Sequence, residues 1–221
     1  MELYPLWNSL RVAAISCVIV FFTGIFFAQK AAKLPRVWKG LLDVALTLPL
    51  VLPPTVVGWF LLRLLGPNRP LGALLLRLFR LRLTMVWYSA VFASVAVSFP
   101  LMDRTARGAF ESFDPTLRDS ARTLGMGNAR IFWRVQMPCC RQGIGAGTVL
   151  AFARALGEYG ATSMLAGYTP GRTATISTTV YQLWRTDNDD LAFRWVLVNL
   201  AISFVVLMAV NLLERKERVR T

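Results

Sequence analysis

The sequence predicts an all-α, polytopic membrane bundle of five or six transmembrane helices with one long cytoplasmic loop, and three observations carry that prediction. Of 221 residues, 55% are hydrophobic and the mean hydropathy is +0.50, above the roughly 45–50% apolar share of globular chains. Four runs of 18 to 20 residues carry no charge, at residues 12–29, 44–62, 83–102 and 195–213. At ~1.5 Å rise per helical residue each reaches about 27–30 Å, the hydrocarbon thickness of a bilayer. The 25 Lys and Arg outnumber the 12 Asp and Glu, giving +13, yet they lie between the apolar runs. That distribution reports topology and excludes a nucleic-acid footprint on a soluble surface.

The first run lies between Arg11 and Lys30. A cleavable signal peptide competes with a membrane span here, but Glu2 stands where the positive n-region belongs and no small-residue cleavage site precedes Lys30, which favours a retained span. The second run contains Pro49, Pro53 and Pro54. Prolines free backbone carbonyls, so this span either breaks to line a cavity or kinks against its neighbours. Residues 63–82 follow, a Leu-rich stretch with five arginines. Within it, residues 71–82 read as a basic helix in the membrane interface whose arginines snorkel to headgroups, and the five arginines of 63–82 would also concentrate an arriving dianion.

After the third run comes a stretch of forty residues, 103–142, far more than a helix connection needs. Asp114-Pro115 supplies an N-cap and a first-turn proline, and Gly125 a left-handed stop, so a short helix is expected from Pro115 to Leu124. Leu117, Ala121 and Leu124 then share one face. A second short helix is expected over 129–136, ended by Met137-Pro138. Residues 143–166 are apolar but carry Arg154 and Glu158, so this span faces protein or water. Residues 173–184 are a sixth candidate, too short to cross alone, and 195–213 complete the set.

With an external N-terminus, four Lys and Arg fall in 30–39, seven in 103–142 and four after Leu213, fifteen inside against nine outside, Arg154 lying within a span. The positive-inside rule favours that orientation and a cytoplasmic C-terminus. The arginines of 63–82 oppose it.

The chain has no His, which removes a Ser-His-Asp triad, a His base and His-containing zinc sites. Cys17, Cys139 and Cys140 offer neither a disulfide framework nor a metal knuckle and read as buried small residues or ordinary thiols. No GxxxxGK[ST] loop occurs, so any nucleotide hydrolysis belongs to a partner. No catalytic residue, cofactor or metal is expected. Gly143, Gly145 and Gly147 alternate in a way that suits close helix approach. Arg154 and Glu158, at i and i+4, can neutralise each other on a helix, as a structural pair or as a gate.

The stretch Asp119-Ser-Ala-Arg-Thr-Leu-Gly125, nine residues, then Val135-Gln-Met-Pro138 resembles the EAA loop of bacterial ABC importer permeases. That pattern is Glu-Ala-Ala, three residues, Gly, nine residues, Ile, one residue, Leu-Pro. Ala121, Gly125 and Pro138 match; Asp119, Ser120, Val135 and Met137 are conservative departures. Leu46-Thr-Leu-Pro-Leu-Val-Leu-Pro-Pro-Thr-Val-Val-Gly58, Ser98-Phe-Pro100, Gly147-Thr-Val-Leu-Ala-Phe-Ala-Arg-Ala-Leu-Gly-Glu-Tyr-Gly-Ala-Thr162 and Ala166-Gly-Tyr-Thr-Pro-Gly-Arg-Thr173 are similar to segments of molybdate permease subunits. Tungstate and sulfate permeases share the Ala-Arg-Ala-x-Gly-Glu stretch. The resemblance covers residues 10–215, with the coupling loop at 103–142 within them.

The resemblance implies the type 1 ABC importer permease fold and an inner-membrane homodimer with its pathway between two copies. Two cytoplasmic ATPase subunits and an external oxyanion-binding protein would be the partners. It makes Asp119, Ser120, Ala121, Gly125, Val135, Met137 and Pro138 the ATPase-coupling residues. Pro53, Pro54, Thr55, Arg154, Glu158, Thr162 and Ser163 become candidates for the pathway or gate. The hydroxyls could donate to a tetrahedral oxyanion, or satisfy helix carbonyls. Two other classes stay open: a secondary transporter coupled through Arg154 and Glu158, and a membrane-embedded enzyme, for which carboxylates are scattered.

Overall fold

The computed structural model describes residues 3–32 and 34–218; Glu2, Lys33 and Arg220, used above for the leader and the charge balance, lie outside these. Helix α1 (Tyr4–Ala31) opens with Pro5 in its first turn, where no N–H partner is needed. One of its faces is small and buried, with Ala13, Ser16, Val20, Gly24 and Ala28, while Val18, Phe22 and Phe26 are exposed. At Gly24 a Cβ would stand 2.6 Å from Met102 Cγ, so glycine lets α1 approach its neighbour closely.

The second apolar run is not one helix. It divides into α2 (Arg36–Val51) and α3 (Pro54–Leu65), bent by 108°. A residue preceding proline is pushed out of the α region. Both Leu52 (ψ 143°) and Pro53 (ψ 134°) precede one and are extended, whereas Pro49 stays inside α2. Helix α4 (Pro70–Phe79) covers most of the expected 71–82 helix but stops short of Arg82, ending on Arg80 in the left-handed region.

Helix α5 (Ser89–Glu111) starts later and ends later than the third run. Residues 83–88 form turns instead, with the Met85 N–H donating to the Leu165 carbonyl at 2.9 Å. The helix then runs past Met102, so the first nine residues assigned to the cytoplasmic loop are helical. After it come α6 (Pro115–Thr123), α7 (Asn128–Ile131), a π-helical turn (Phe132–Gln136) and α8 (Met137–Cys139). Pro138 does not end the second loop helix as expected. The π turn carries the chain into α8, with the Met137 N–H donating to Phe132 O, and Pro138 sits in the first turn of α8.

The fourth expected span is also interrupted, into α9 (Arg141–Leu156) and α10 (Gly160–Leu165). Helix α11 (Ile176–Arg185) is held by a Thr175–Thr178 capping box, and α12 (Asp189–Arg218) starts with Asp189 and Asp190 in its first turn, favourably placed against the helix dipole.

By length and composition α1 and residues 189–208 of α12 can each cross a membrane, and the bent α2–α3 pair would be a third crossing. Helices α5 and α9 have a different chemistry because they are interior. Helix α5 packs on α1, α2, α3, α9 and α10 through Ala90, Ala93, Ser94, Val97, Ser98 and Ala106, small residues that suit helix contact in lipid. Gly143 and Gly147 lie against Ala109 and Thr105 of α5; Gly145, by contrast, has open space where its Cβ would be.

The bundle has two distinct ends. At the N-terminal end of α1, Asn8 Nδ2 donates to Thr173 O at 3.2 Å and Ala174 O at 3.0 Å, and the Ser9 hydroxyl accepts from Ile176 N. Arg11 stacks 3.6 Å from the Trp87 ring centroid. At the C-terminal end, Val20, Ile25 and Ala28 form a core with Phe110, Phe113 and Cys140, against which Phe132, Val135 and Met137 pack. The loop after α5 is thus built onto the end of α1 opposite the 166–175 loop.

Candidate coupling loop and pathway break

Helix α6 is defined at both termini by local chemistry. Asp114 accepts from the Thr116 N–H at 2.9 Å, and that backbone bond holds its carboxyl below the usual carboxylate range. At the other end Gly125 has φ +75°, with Gly125 N–H to Arg122 O at 2.9 Å and Met126 N–H to Ala121 O at 3.1 Å. These two bonds make a Schellman stop, which needs a left-handed residue at Gly125.

The seven coupling candidates divide into two groups. Asp119, Ser120, Gly125 and Pro138 are exposed; Asp119 makes an open ion pair with Arg122 at 3.5 Å. Ala121 is buried and Val135 and Met137 are half-buried against the α1–α5–α9 core. Of the predicted face Leu117, Ala121 and Leu124, only Ala121 turns inward: Leu117 is 45% exposed and Leu124 82%. The loop therefore has a foot set in the bundle and an exposed apolar pair, Leu117 and Leu124.

The second group of candidates meets where α3 and α10 begin. The two helices run side by side: a Cβ on Gly160 would lie 2.9 Å from Pro54 Cβ and from Thr55 N, and one on Gly58 would lie 2.7 Å from Ala161 Cα. The two interrupted segments thus stack at their breaks. Arg154 and Glu158 pair as expected, Nη1 to Oε2 at 2.5 Å, but not along a continuous helix, since α9 stops at Leu156. Glu158 bridges the break: its Oε1 accepts the Ala161 N–H at 2.7 Å at the start of α10, where a negative group is favourable. Its side chain is 1% exposed and that of Arg154 28%. Of the hydroxyls, Thr55 is exposed and Thr162 buried, while Ser163 donates to Gly160 O at 3.0 Å, the carbonyl-satisfying alternative.

Sequence reasoning missed a charged cluster between α2 and α5. Arg107 pairs with Asp103 one turn earlier and with Asp43 of α2, and Lys39 pairs with Glu111 at 2.5 Å. Lys39, Asp43, Arg104, Arg107 and Glu111 line an open cavity of about 490 Å³, with Asp103 buried behind it. Helix α2 otherwise exposes Val37, Trp38, Leu41, Val44 and Leu48, so ion pairs are much of what ties it to the bundle. The spacing of Asp103, Arg107 and Glu111 at i, i+4 and i+8 was the available signal, hidden because a loop was expected there. Among the cysteines, Cys140 is buried with its thiol donating to Ala109 O, whereas Cys139 is exposed and Cys17 half-buried.

Comparison with known proteins agrees with this architecture. The chain is 40% identical to the molybdenum transport system permease protein ModB of Escherichia coli K12, covering 98% of this chain and 96% of that protein. It is 30% identical to the sulfate transport system permease protein CysW of Synechococcus elongatus, over 94% and 72% respectively. A solved bacterial ABC transporter that imports alginate shares the fold, with a TM-score of 0.76 at 18% identity, covering 97% of this chain and 79% of that one. Residues 20–219 match the family described as binding-protein-dependent transport system inner membrane component, and the chain belongs to that family of membrane permease subunits.

Proposed function

We propose that this chain is the permease subunit of an ATP-driven importer, and that it forms the pathway through which molybdate crosses the inner membrane. The observation that carries the reading is similarity at 40% identity to a molybdenum permease along nearly the whole of both chains. A related oxyanion, tungstate or sulfate, is the second reading, favoured by the sulfate permease likeness.

In this reading residues 10–215 are the permease domain and 103–142 its coupling loop. Two copies enclose the pathway. The N-terminus lies outside, supported by the fifteen-to-nine distribution of basic residues, and the C-terminus lies in the cytoplasm. An external binding protein delivers the anion and two ATPase subunits dock below. Asp119, Ser120, Leu117 and Leu124 supply the exposed side of the contact. Ala121, Val135 and Met137 pass its motion into α1, α5 and α9. Gly125 and Pro138 set the loop's shape. The stacked breaks at Pro53, Pro54, Thr55 and Glu158, Thr162, Ser163 border the pathway, with Arg154 and Glu158 holding the break in shape. The chain itself hydrolyses nothing and holds no cofactor.

Uptake of molybdate into vesicles carrying the full assembly tests this. The expected result is uptake that requires ATP and the co-purifying ATPase, with tungstate and sulfate competing to the degree that they share the path. Uptake driven by an ion gradient alone, without ATP, would refute the importer reading in favour of a secondary transporter.

A further inference from the structure

Between Asp43 and Asp103 the chain contains five arginines and no Asp or Glu. Two of those arginines, Arg63 at the end of α3 and Arg69 just before α4, line a cavity of about 500 Å³ together with Trp59, Gly66 and Asn68. The Arg63 guanidinium lies 5.7 Å from the Trp59 ring centroid. Neither arginine has a carboxylate within ion-pair distance among the described residues. The cavity is built by a tight fold-back: the Arg69 N–H donates to Gly66 O at 3.0 Å, and a Cβ on Gly72 would run into the Gly66 and Leu65 carbonyls. Glycine at 72 is therefore what lets α4 lie against the end of α3.

Helix α4 adds a second feature. It packs on α3 and leaves Leu71, Leu74 and Leu78 exposed at 44%, 54% and 65%. At i, i+3 and i+7 these make one apolar stripe. A free dianion accounts for the arginines but not for the exposed stripe beside them. A phospholipid accounts for both, because its phosphate is a tetrahedral oxyanion that guanidinium groups bind in a fork geometry and its chains cover leucine. Trp59, in the cavity wall, is a residue type that gathers at headgroup depth.

The geometry points to a binding site for an anionic phospholipid, with the phosphate held by Arg63, Arg69 and Asn68 and an acyl chain along Leu71, Leu74 and Leu78. None of the residues that line the site belongs to the 103–142 loop, and the site stands whether or not the chain carries molybdate.

Native mass spectrometry of the full chain in detergent, titrated with dioleoylphosphatidylglycerol or dioleoylphosphatidylcholine, tests it. The wild type binds phosphatidylglycerol at one tight site and phosphatidylcholine more weakly. R63Q/R69Q binds phosphatidylglycerol about 30-fold more weakly, since each cation near an anionic lipid contributes about fivefold. R77Q/R80Q, which removes equal charge from α4 outside the cavity, keeps the tight site. Unchanged binding in R63Q/R69Q, or equal loss in both variants, overturns the site. Saturable binding of radiolabelled sulfate that is lost in R63Q/R69Q, with no lipid retained by the wild type, overturns the lipid in favour of a free oxyanion. Circular dichroism checks that the variant is folded; if it is not, R69Q alone is read in the same way with about a fivefold loss.

Discussion

Glu158 offers the sharpest test of how the interrupted span is held. Its carboxylate does two jobs at once, pairing with Arg154 at 2.5 Å and accepting the Ala161 N–H at 2.7 Å. Replacing it with Ala removes both. The orphaned buried N–H costs about 1–3 kcal/mol. Breaking a fully buried ion pair costs about 3–5 kcal/mol, but Arg154 is 28% exposed and water reaches it, which brings that part down to about 1–2 kcal/mol. Together Glu158→Ala loses about 2–5 kcal/mol. Glu158→Gln keeps an amide oxygen for the Ala161 N–H and loses only the charge, about 1–2 kcal/mol. At about 2–4 °C per kcal/mol for a chain of this size, Ala lowers Tm by about 10 °C and Gln by about 4 °C. Thermal unfolding of the detergent-solubilised full chain reads both, and amide exchange at Ala161 reads the cap directly, rising in Ala but not in Gln. Equal Tm values for wild type and Ala, or equal losses for Ala and Gln, would refute the capping role. Uptake measured in parallel separates support from gating: Gln should retain most of the wild-type uptake, and a stable but inactive Gln variant would instead place the charge itself in the pathway.

Three further outcomes follow from the packing. Gly58→Val should destabilise by about 1–3 kcal/mol because its Cβ meets the backbone of Ala161, which cannot move aside, while Gly145→Ala, with open space around it, should gain about 0.5–1 kcal/mol in Tm-based stability. In the α2–α5 cluster, Arg107→Met leaves the buried Asp103 unpaired and should cost about 3–5 kcal/mol in denaturation, whereas Asp43→Asn, whose side chain is 44% exposed, should cost under about 1 kcal/mol; equal costs would show that Asp103 does not depend on Arg107. On α6 and its stop, Leu117→Ala with Leu124→Ala should leave Tm within about 1 °C, both side chains being exposed, yet on the proposed reading reduce co-purification of the ATPase; undiminished co-purification would remove these leucines from the contact.

Much of the local structure was legible from residue chemistry alone. Asp114, Pro115 and Gly125 bound α6 because caps and stops act through the nearest backbone groups, and the Arg154–Glu158 spacing predicted an ion pair that does form. Local signals misled where a helix continued or broke for reasons of context. The charges after Met102 read as the start of a loop, yet α5 runs on to Glu111 because Asp103 and Arg107 find partners on its own next turn and on α2.

The apolar runs, the capped helix α6 and the family pattern were set by the sequence itself, since each depends on residues close together along the chain. Tertiary structure alone decided the rest. It stacked the breaks after Leu52 and Leu156, used Gly143 and Gly147 but not Gly145, turned Ala121 inward while leaving Leu117 and Leu124 free, and tied Asp43 to Arg107. Each of those outcomes turns on which surface a residue meets from a distant segment, and periodicity along one helix carries no information about the neighbour that will cover it.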